Sequence, residues 1–432
     1  MQKKEQGGEK GDLKGREIAL KALLFYENLR DADASFSRAI KGIKSQKLIN
    51  RSLEIFYGVL RWLYRIDYIL NKHLHKKPID KIHIWTRNIM RIGAFERIIM
   101  GVPDYASVSE AVKLAKKYGH KGTVGLANAV LRNLSDVEYP DEELKRLSVY
   151  YSFPEWLVAM LLEIFGDETE AFLKASNRTP PLSVRVNRLK TNRDELIKIL
   201  KQSRMKAEKG RHSPWSIYTE GRALKSRFFR EGMFTVQDES STLALEWIDT
   251  DLDVYADLCS SPGGKATHLA EITGDKKIIV AGDLRGMNRV VENIRRLNLK
   301  SIKPVIADAR QISLRNVDMV ILDVPCSGLG TLARRVDLKY RLTPERINSL
   351  VNIQEDILEN ASSLVKSGGY IYYITCTVNP EENQILIKKF LAKMKNFGLI
   401  EYEGEYGGDG FFQTLPHVHG IDGVFGAMIK RR

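Results

Sequence analysis

The sequence predicts a multidomain chain: an all-α bundle, then a small α+β unit, then a doubly wound α/β domain. Three observations carry this. Apolar residues recur on a helical period through residues 14–136. From about Phe234 short apolar runs alternate with helical stretches, the pattern of a parallel sheet with helices on both faces. The charge is split along the chain as well. The formal net charge is +14, with +11 in residues 1–140, +5 in 141–235 and −2 in 236–432. The first two parts therefore suit a polyanionic partner, and the last suits some other task.

Residues 1–13, "MQKKEQGGEKGDL", are polar and glycine-rich and lack the apolar core of a secretion signal, so they read as a loose tail. Residues 14–140 form the bundle. "REIALKALLFYENL" and "RSLEIFYGVLRWLYRIDYIL" carry the helical period, and "SVSEAVKLAKKYG" starts with serine caps and stops at Gly119. Residues 141–235 make the α+β unit. "FPEWLVAMLLEIFG" reads as a helix with Pro154 in its first turn. "LSVRVNRL" alternates as a strand, with Leu182, Val184 and Val186 on one face and Ser183, Arg185 and Asn187 on the other. That second face, with Lys190 just beyond it, is the candidate contact to a phosphate backbone. "NRDELIKILKQ" follows as a helix capped by Asn192.

Residues 236–432 form the α/β domain, where every unusual residue sits at a strand's C-terminal end, the place where such sheets bind ligands. "DLCSSPGGK" joins a strand to a helix. Its Cys259, Ser260, Ser261, Pro262, Gly263, Gly264 and Lys265 form a tight loop whose free N–H groups suit a carboxylate or phosphate. Asp283 ends the next strand, where a carboxylate accepts both hydroxyls of a ribose. Asp308 ends the third, within reach of an adenine amine. Three such strand ends in a row point to an adenosine-containing cofactor. Two further strand ends, "DVPCSGLG" and "TCTVNPEEN", each carry a cysteine, Cys326 and Cys376. A single cysteine is usually a small buried apolar residue. Two beside one cleft ask for chemistry. Asn379 caps the helix start at Pro380, Glu381 and Glu382, which fixes the Cys376 loop to a rigid element.

Three cysteines without CxxC spacing make neither a disulfide framework nor a zinc site, so no metal is expected and a reducing, cytoplasmic setting is. No apolar run reaches the roughly 18 residues of a membrane span, so no membrane partner is expected.

Together the motifs resemble the RNA 5-methylcytosine methyltransferases of the RsmB (Sun/Fmu) type. That family's D-x-C-A-A-P-G-G-K is similar to "DLCSSPGGK", its D-A-P-C-S-G-x-G to "DVPCSGLG", and its S-T-C-x-x-x-P-E-E-N-E to "ITCTVNPEENQ". "FTVQDESS" and the ending "LPHVHGIDGVFGAMI" also resemble it, although the family more often has two phenylalanines at Val424 and Phe425. Its R-R-x-P-D-x-K-W appears as "RRVDLKY", one residue shorter and with Tyr340 for the tryptophan, a departure that bears on the RNA pocket. The helical part resembles the NusB-type RNA-binding domain.

The resemblance implies a Rossmann-like class I methyltransferase domain using S-adenosylmethionine, with small-subunit (16S) ribosomal RNA as substrate. A monomer is expected. Carbon 5 of cytosine is too weak a nucleophile to be methylated directly, and a thiolate added at carbon 6 turns the ring into an enamine. The sequence alone does not rank the two cysteines. The resemblance makes Cys376 the nucleophile and Cys326 the group that helps release the product. An acid near N3 and N4 of the base would stabilise the adduct, and Asp323, also counted with the cofactor site, suits that work. Two alternatives stay open. A DNA cytosine methyltransferase would need neither the Thr-Cys motif nor the NusB-like part. A non-catalytic RNA-binding or antitermination factor would not need intact strand-end motifs. Tritium transfer to RNA against duplex DNA, and a cofactor-binding measurement, separate the three.

Overall fold

The computed structural model describes residues 2–135 and 137–432, with side chains from Leu13 onward. The chain forms two compact units, one of residues 1–177 with 335–341, the other of 178–334 with 342–432.

The first unit is helical. Its opening helix spans Gln2–Leu29, so the backbone of the expected tail is helical from Gln2. Lys, Glu and Gln are strong helix formers, and extending a helix anchored at Leu20 and Leu23 needs no new nucleus. Helices Gln46–Arg61, Ile84–Ala94 and Lys121–Arg132 send Phe56, Val59, Ile89 and Leu131 into one core. Within it Glu96 is buried between two cations, 2.8 Å from Arg16 and 2.6 Å from Arg51. The helix expected to start on serine caps begins earlier, Asp104–Tyr118, behind Pro103, and Ser107 donates back to the Asp104 carbonyl. Helices Glu143–Tyr151, Glu155–Phe165 and Thr169–Ser176 also lie in this unit, which runs on to Asn177.

Residues 335–341 complete it. The "RRVDLKY" segment, expected to shape an RNA pocket, is instead packed among these helices. Lys339 is buried, its Nζ donating to the Arg61 carbonyl at 2.9 Å and to Asn177 Oδ1 at 3.3 Å, 4.1 Å from the Phe153 ring centre. Asp337 accepts the Ala32 N–H at 3.1 Å, and the Tyr340 hydroxyl lies 3.1 Å from Ser152 Oγ. Burial, with the Arg61 charge adding to it, pushes the Lys339 amine well below the usual lysine range.

The second unit holds two sheets. The smaller one pairs β1 (Leu182–Val186), β2 (Ala207–Lys209), β3 (Ser216–Thr219) and β4 (Phe234–Val236) in the order β2-β3-β1-β4, all antiparallel. Helix Arg193–Gln202, capped as expected by Asn192 accepting the Glu195 N–H at 2.9 Å, covers it through Leu196 and Leu200. The larger sheet begins with five parallel strands in the order β7-β6-β5-β8-β9: β5 (Val254–Leu258), β6 (Ile278–Asp283), β7 (Ile302–Ile306), β8 (Val317–Asp323) and β9 (Val365–Thr375). It ends in strands the motif reading did not separate: β10 (Phe397–Ile400), β11 (Gly407–Gly408), β12 (Phe411–Gln413) and β13 (Phe425–Arg431). β13 runs antiparallel to β9. Val424 and Phe425, the departure from the paired phenylalanines, are core residues here.

The parallel order reverses between β5 and β8, so the strand ends around Leu258, Asp283 and Asp323 open onto one crevice.

Candidate active site

A cavity of about 380 Å³ lies at those strand ends, lined by Cys259 and Ser261 after β5, Asp283 ending β6 and Leu284 after it, Asp308 after β7, and Asp323 ending β8 with Pro325 beyond it. The loop after β5 is held by its backbone. The Ser260 N–H donates to the Gly282 carbonyl at 3.0 Å, and Pro262 O accepts from Asn293 at 3.0 Å. Gly263, with φ of 98°, turns the chain into helix Gly264–Ile272, a conformation that favours glycine.

Asp283 accepts two backbone N–H groups, from Ser261 at 2.9 Å and from Arg285 at 2.8 Å. Both of its oxygens are thereby oriented at the cavity wall with lone pairs left over. Asp308 is clasped by the Arg310 guanidinium at 3.0 and 2.7 Å, which holds its carboxyl below the usual range. Leu284, Ile353 and Ile357 supply apolar wall. Carboxylates at a rim with apolar surface beside them match the donor hydroxyls and flat base of a nucleoside. Burial pushes the Cys259 thiol up, and the carboxylates of Asp257, Asp323, Asp283 and Asp308 push it further. It is no thiolate, which agrees with a backbone role.

Lys265, grouped by its sequence position with the cofactor loop, turns instead to Asp323, with Nζ 2.5 Å from Oδ2. Burial favours its neutral form, but Asp323, with Asp257 behind it, overrides this and holds the amine above the usual lysine range, and Cys376 adds to the effect. Asp257, at the end of β5, is pushed by burial up to about 7.

The two cysteines meet. Cys326 and Cys376, 50 residues apart in sequence, have their sulfurs 3.3 Å from each other, and the Cys376 N–H points at Cys326 Sγ, also at 3.3 Å. Adjacent parallel strands β8 and β9 bring them there. Gly330 ties the two loops: its N–H donates to the Cys376 carbonyl at 3.0 Å, and a Cβ there would lie 2.1 Å from the Gly423 carbonyl oxygen. The contact with Cys376, then burial, push the Cys326 thiol well above its ordinary range. Two thiols this close do not ionise together, so the pair holds one thiolate at most.

Sequence reasoning missed the groups beneath the cysteines. Glu382, Ser327, Thr377 and Gln354 are all buried and hydrogen-bonded to one another. The signal was the glutamate of "PEEN", read there only as part of a helix start.

The expected RNA face of β1 is corrected. Arg185 and Asn187 are fully buried. Arg185 Nε and Nη2 donate to the two oxygens of Glu271 at 3.0 and 2.7 Å. Its Nη1 reaches Gln237 and, at 2.9 Å, the Gly264 carbonyl. Asn187 donates to the Gly232 carbonyl at 2.9 Å. The alternation was right, but Arg185 on the second face packs on helix Gly264–Ile272, and Arg185 and Asn187 pair inside the protein. Lys190 is exposed, with Nζ 2.5 Å from the Glu231 carbonyl.

Comparison with known proteins decides the family. Residues 243–430 match the 16S rRNA methyltransferase RsmB/F model, 13–136 the NusB family, and 153–223 the ferredoxin-like domain of RsmF/B-like methyltransferases. The probable ribosomal RNA small subunit methyltransferase B of Synechocystis sp. is 35% identical over 88% of this chain and 90% of its own. That of Bacillus subtilis is 31% identical over 96% and 98%. The chain belongs to the RsmB/F family of 16S rRNA methyltransferases. A solved structure, that of PH0851, superposes with a TM-score of 0.82 at 28% identity, covering 97% of this chain and 99% of that one. NSun6 from Pyrococcus horikoshii, at 22% identity and a TM-score of 0.58, shares the fold over 65% of this chain. The RsmB/F chain is thus an rRNA methyltransferase with a NusB region, a ferredoxin-like middle domain and a mixed α/β catalytic domain. Among its described residues no helix is long and apolar enough to cross a membrane.

Proposed function

We propose that this enzyme methylates carbon 5 of a cytidine in 16S ribosomal RNA through a covalent bond between Cys376 and carbon 6. The observation that carries this is the pair of thiols in contact at two neighbouring strand ends, with the Lys265–Asp323 ion pair nearby. Asp283 would hold S-adenosylmethionine at its ribose, the loop 259–264 at its methionine end and Asp308 at its adenine, and the bound group would supply the electrophilic methyl.

Cys376, as thiolate, attacks carbon 6 of the flipped-out base, and the electron pair moves to carbon 5. Lys265 favours that thiolate by its charge. It also fixes the Asp323 carboxylate, which accepts from the exocyclic N4 amine and so orients the base for attack. After methylation carbon 5 must lose its proton before the Cys376–carbon 6 bond can break. Cys326, beside Cys376, assists that loss: once its own proton has passed to solvent it takes the carbon 5 proton, and the Cys376 thiolate leaves as the carbon 5–carbon 6 double bond re-forms. Residues 1–235, with their excess positive charge, hold the surrounding RNA, and Lys190 is one candidate contact.

Two substitutions test the roles. Cys376→Ala binds RNA and S-adenosylmethionine but yields neither methylated RNA nor a denaturant-resistant complex. Cys326→Ala attacks and methylates, then stalls, so that a complex surviving denaturing electrophoresis accumulates and depends on S-adenosylmethionine. Accumulation in Cys376→Ala and not in Cys326→Ala would reverse the roles.

A further inference from the structure

Glu382 is fully buried in the loop that carries Cys376, and among the described residues no cation pairs with it. A carboxylate in that position is expensive unless donors surround it. Four do. The Ser327 N–H donates at 2.8 Å and the Ser327 hydroxyl makes a second, shorter bond. Gln354 Nε2 donates at 3.0 Å and Asn379 Nδ2 at 3.2 Å. These donors do not belong to one element. Ser327 follows Cys326, Asn379 lies in the Cys376 loop, and Gln354 comes from helix Pro344–Leu364.

The same Gln354 amide also donates to the Pro325 carbonyl at 2.9 Å. Cys326 is therefore gripped at the residue before it and at the residue after it, both times through groups bound to Glu382. On the other strand the Tyr373 hydroxyl donates to the Glu382 carbonyl at 2.8 Å, and Ser327 Oγ lies 2.7 Å from Thr377 Oγ1, next to Cys376. One carboxylate thus couples the two cysteine loops.

We infer that Glu382 is the positioning residue that sets Cys326 against Cys376, and that its particular task is product release. The inference rests on the roles proposed above for the two cysteines. The attacking group, Cys376, is also anchored by its own strand and by Gly330. Cys326 lies on a turn whose flanking groups depend on Glu382, so loosening the carboxylate disturbs Cys326 first. The negative charge acts at the earlier step, the attack. After the Cys376 contact and burial, Glu382 helps to keep Cys326 a thiol, leaving Cys376 as the group that ionises.

The experiment uses the full chain, 16S rRNA transcript and S-adenosylmethionine, with the wild type and Cys326→Ala alongside. Glu382→Gln keeps the shape, removes the charge and turns one acceptor into a donor facing Ser327. The expected result is single-turnover methyl transfer within about threefold of wild type, multiple turnover slower by about tenfold or more, and an accumulating denaturant-resistant RNA complex. A merely structural role lowers both rates together and accumulates no complex, and that outcome overturns the inference. If Glu382→Gln does not fold, Ser327→Ala decides. It retains the backbone N–H bond and loses only the hydroxyl, and it must trap the same complex for the inference to stand. If Cys326→Ala itself traps nothing, the assignment of the cysteines fails instead, and the two failures are told apart.

Discussion

Replacing Arg185 by methionine separates an internal brace from an RNA contact. Arg185 and Glu271 are each fully buried, and Arg185 spends its donors on Glu271, Gln237, Thr267 and the Gly264 carbonyl. Removing it strands the Glu271 carboxylate in the interior, and losing one partner of such a pair costs about 3–5 kcal/mol. With a urea m value of about 3 kcal/mol per molar, that is a midpoint lowered by about 1 M or more for the second unit. Replacing Glu271 by leucine in the same chain removes the stranded charge and should return most of the loss, because an apolar pair of similar volume is often no less stable than the ion pair. The assay is urea unfolding followed by circular dichroism on the single variants and the double variant, with RNA affinity measured below the transition. An Arg185→Met chain with an unmoved midpoint and weakened RNA binding would refute the reasoning and restore the strand face to the RNA.

Two further results are expected. If Asp283 accepts the ribose as proposed, Asp283→Ala should weaken S-adenosylmethionine binding by about 1.5–3 kcal/mol, the scale of a charge-assisted hydrogen bond; calorimetry with unchanged affinity would put the ribose elsewhere. Asp257 has a folded pKa of about 7 against the ordinary 3.8, so the native state binds more protons between those values and its stability falls as pH rises from about 4 to about 7. Asp257→Asn abolishes this fall, worth on the order of 4 kcal/mol, so its melting temperature should gain on the wild type from pH 5 to pH 8; parallel profiles would contradict the burial argument.

The catalytic half was legible because its information is local. A strand, a glycine turn and a helix fit within "VYADLCSSPGGKATHLAEI", and β5, β6, β8 and β9 stand where their apolar runs lie. Cys326, Cys376, Asp283 and Asp323 sit at strand ends for the same reason. Long-range pairing was not legible. Nothing around Arg185 announces Glu271, 86 residues away, and an arginine on an alternating strand looks solvated until the helix covering it is known. Lys265 followed two glycines and was read with its loop, whereas its partner Asp323 comes from another strand. Nor does the polarity of "RRVDLKY" reveal that Lys339 is buried, since the atoms compensating its amine, the Arg61 carbonyl and Asn177, are distant in sequence.

That last segment carries a consequence for how the protein is made. The helical unit needs residues 335–341, yet the 157 residues of 178–334 are synthesised between Asn177 and Arg335. At about 5–20 residues per second, the helices wait roughly 8–30 s on the ribosome before the strand of chain that completes them emerges. Until then the carbonyl of Arg61, the side chain of Asn177 and the N–H of Ala32 face a space that Lys339 and Asp337 have yet to fill. The N-terminal helices begin first and finish late, and residues 1–177 made alone would never receive their last piece.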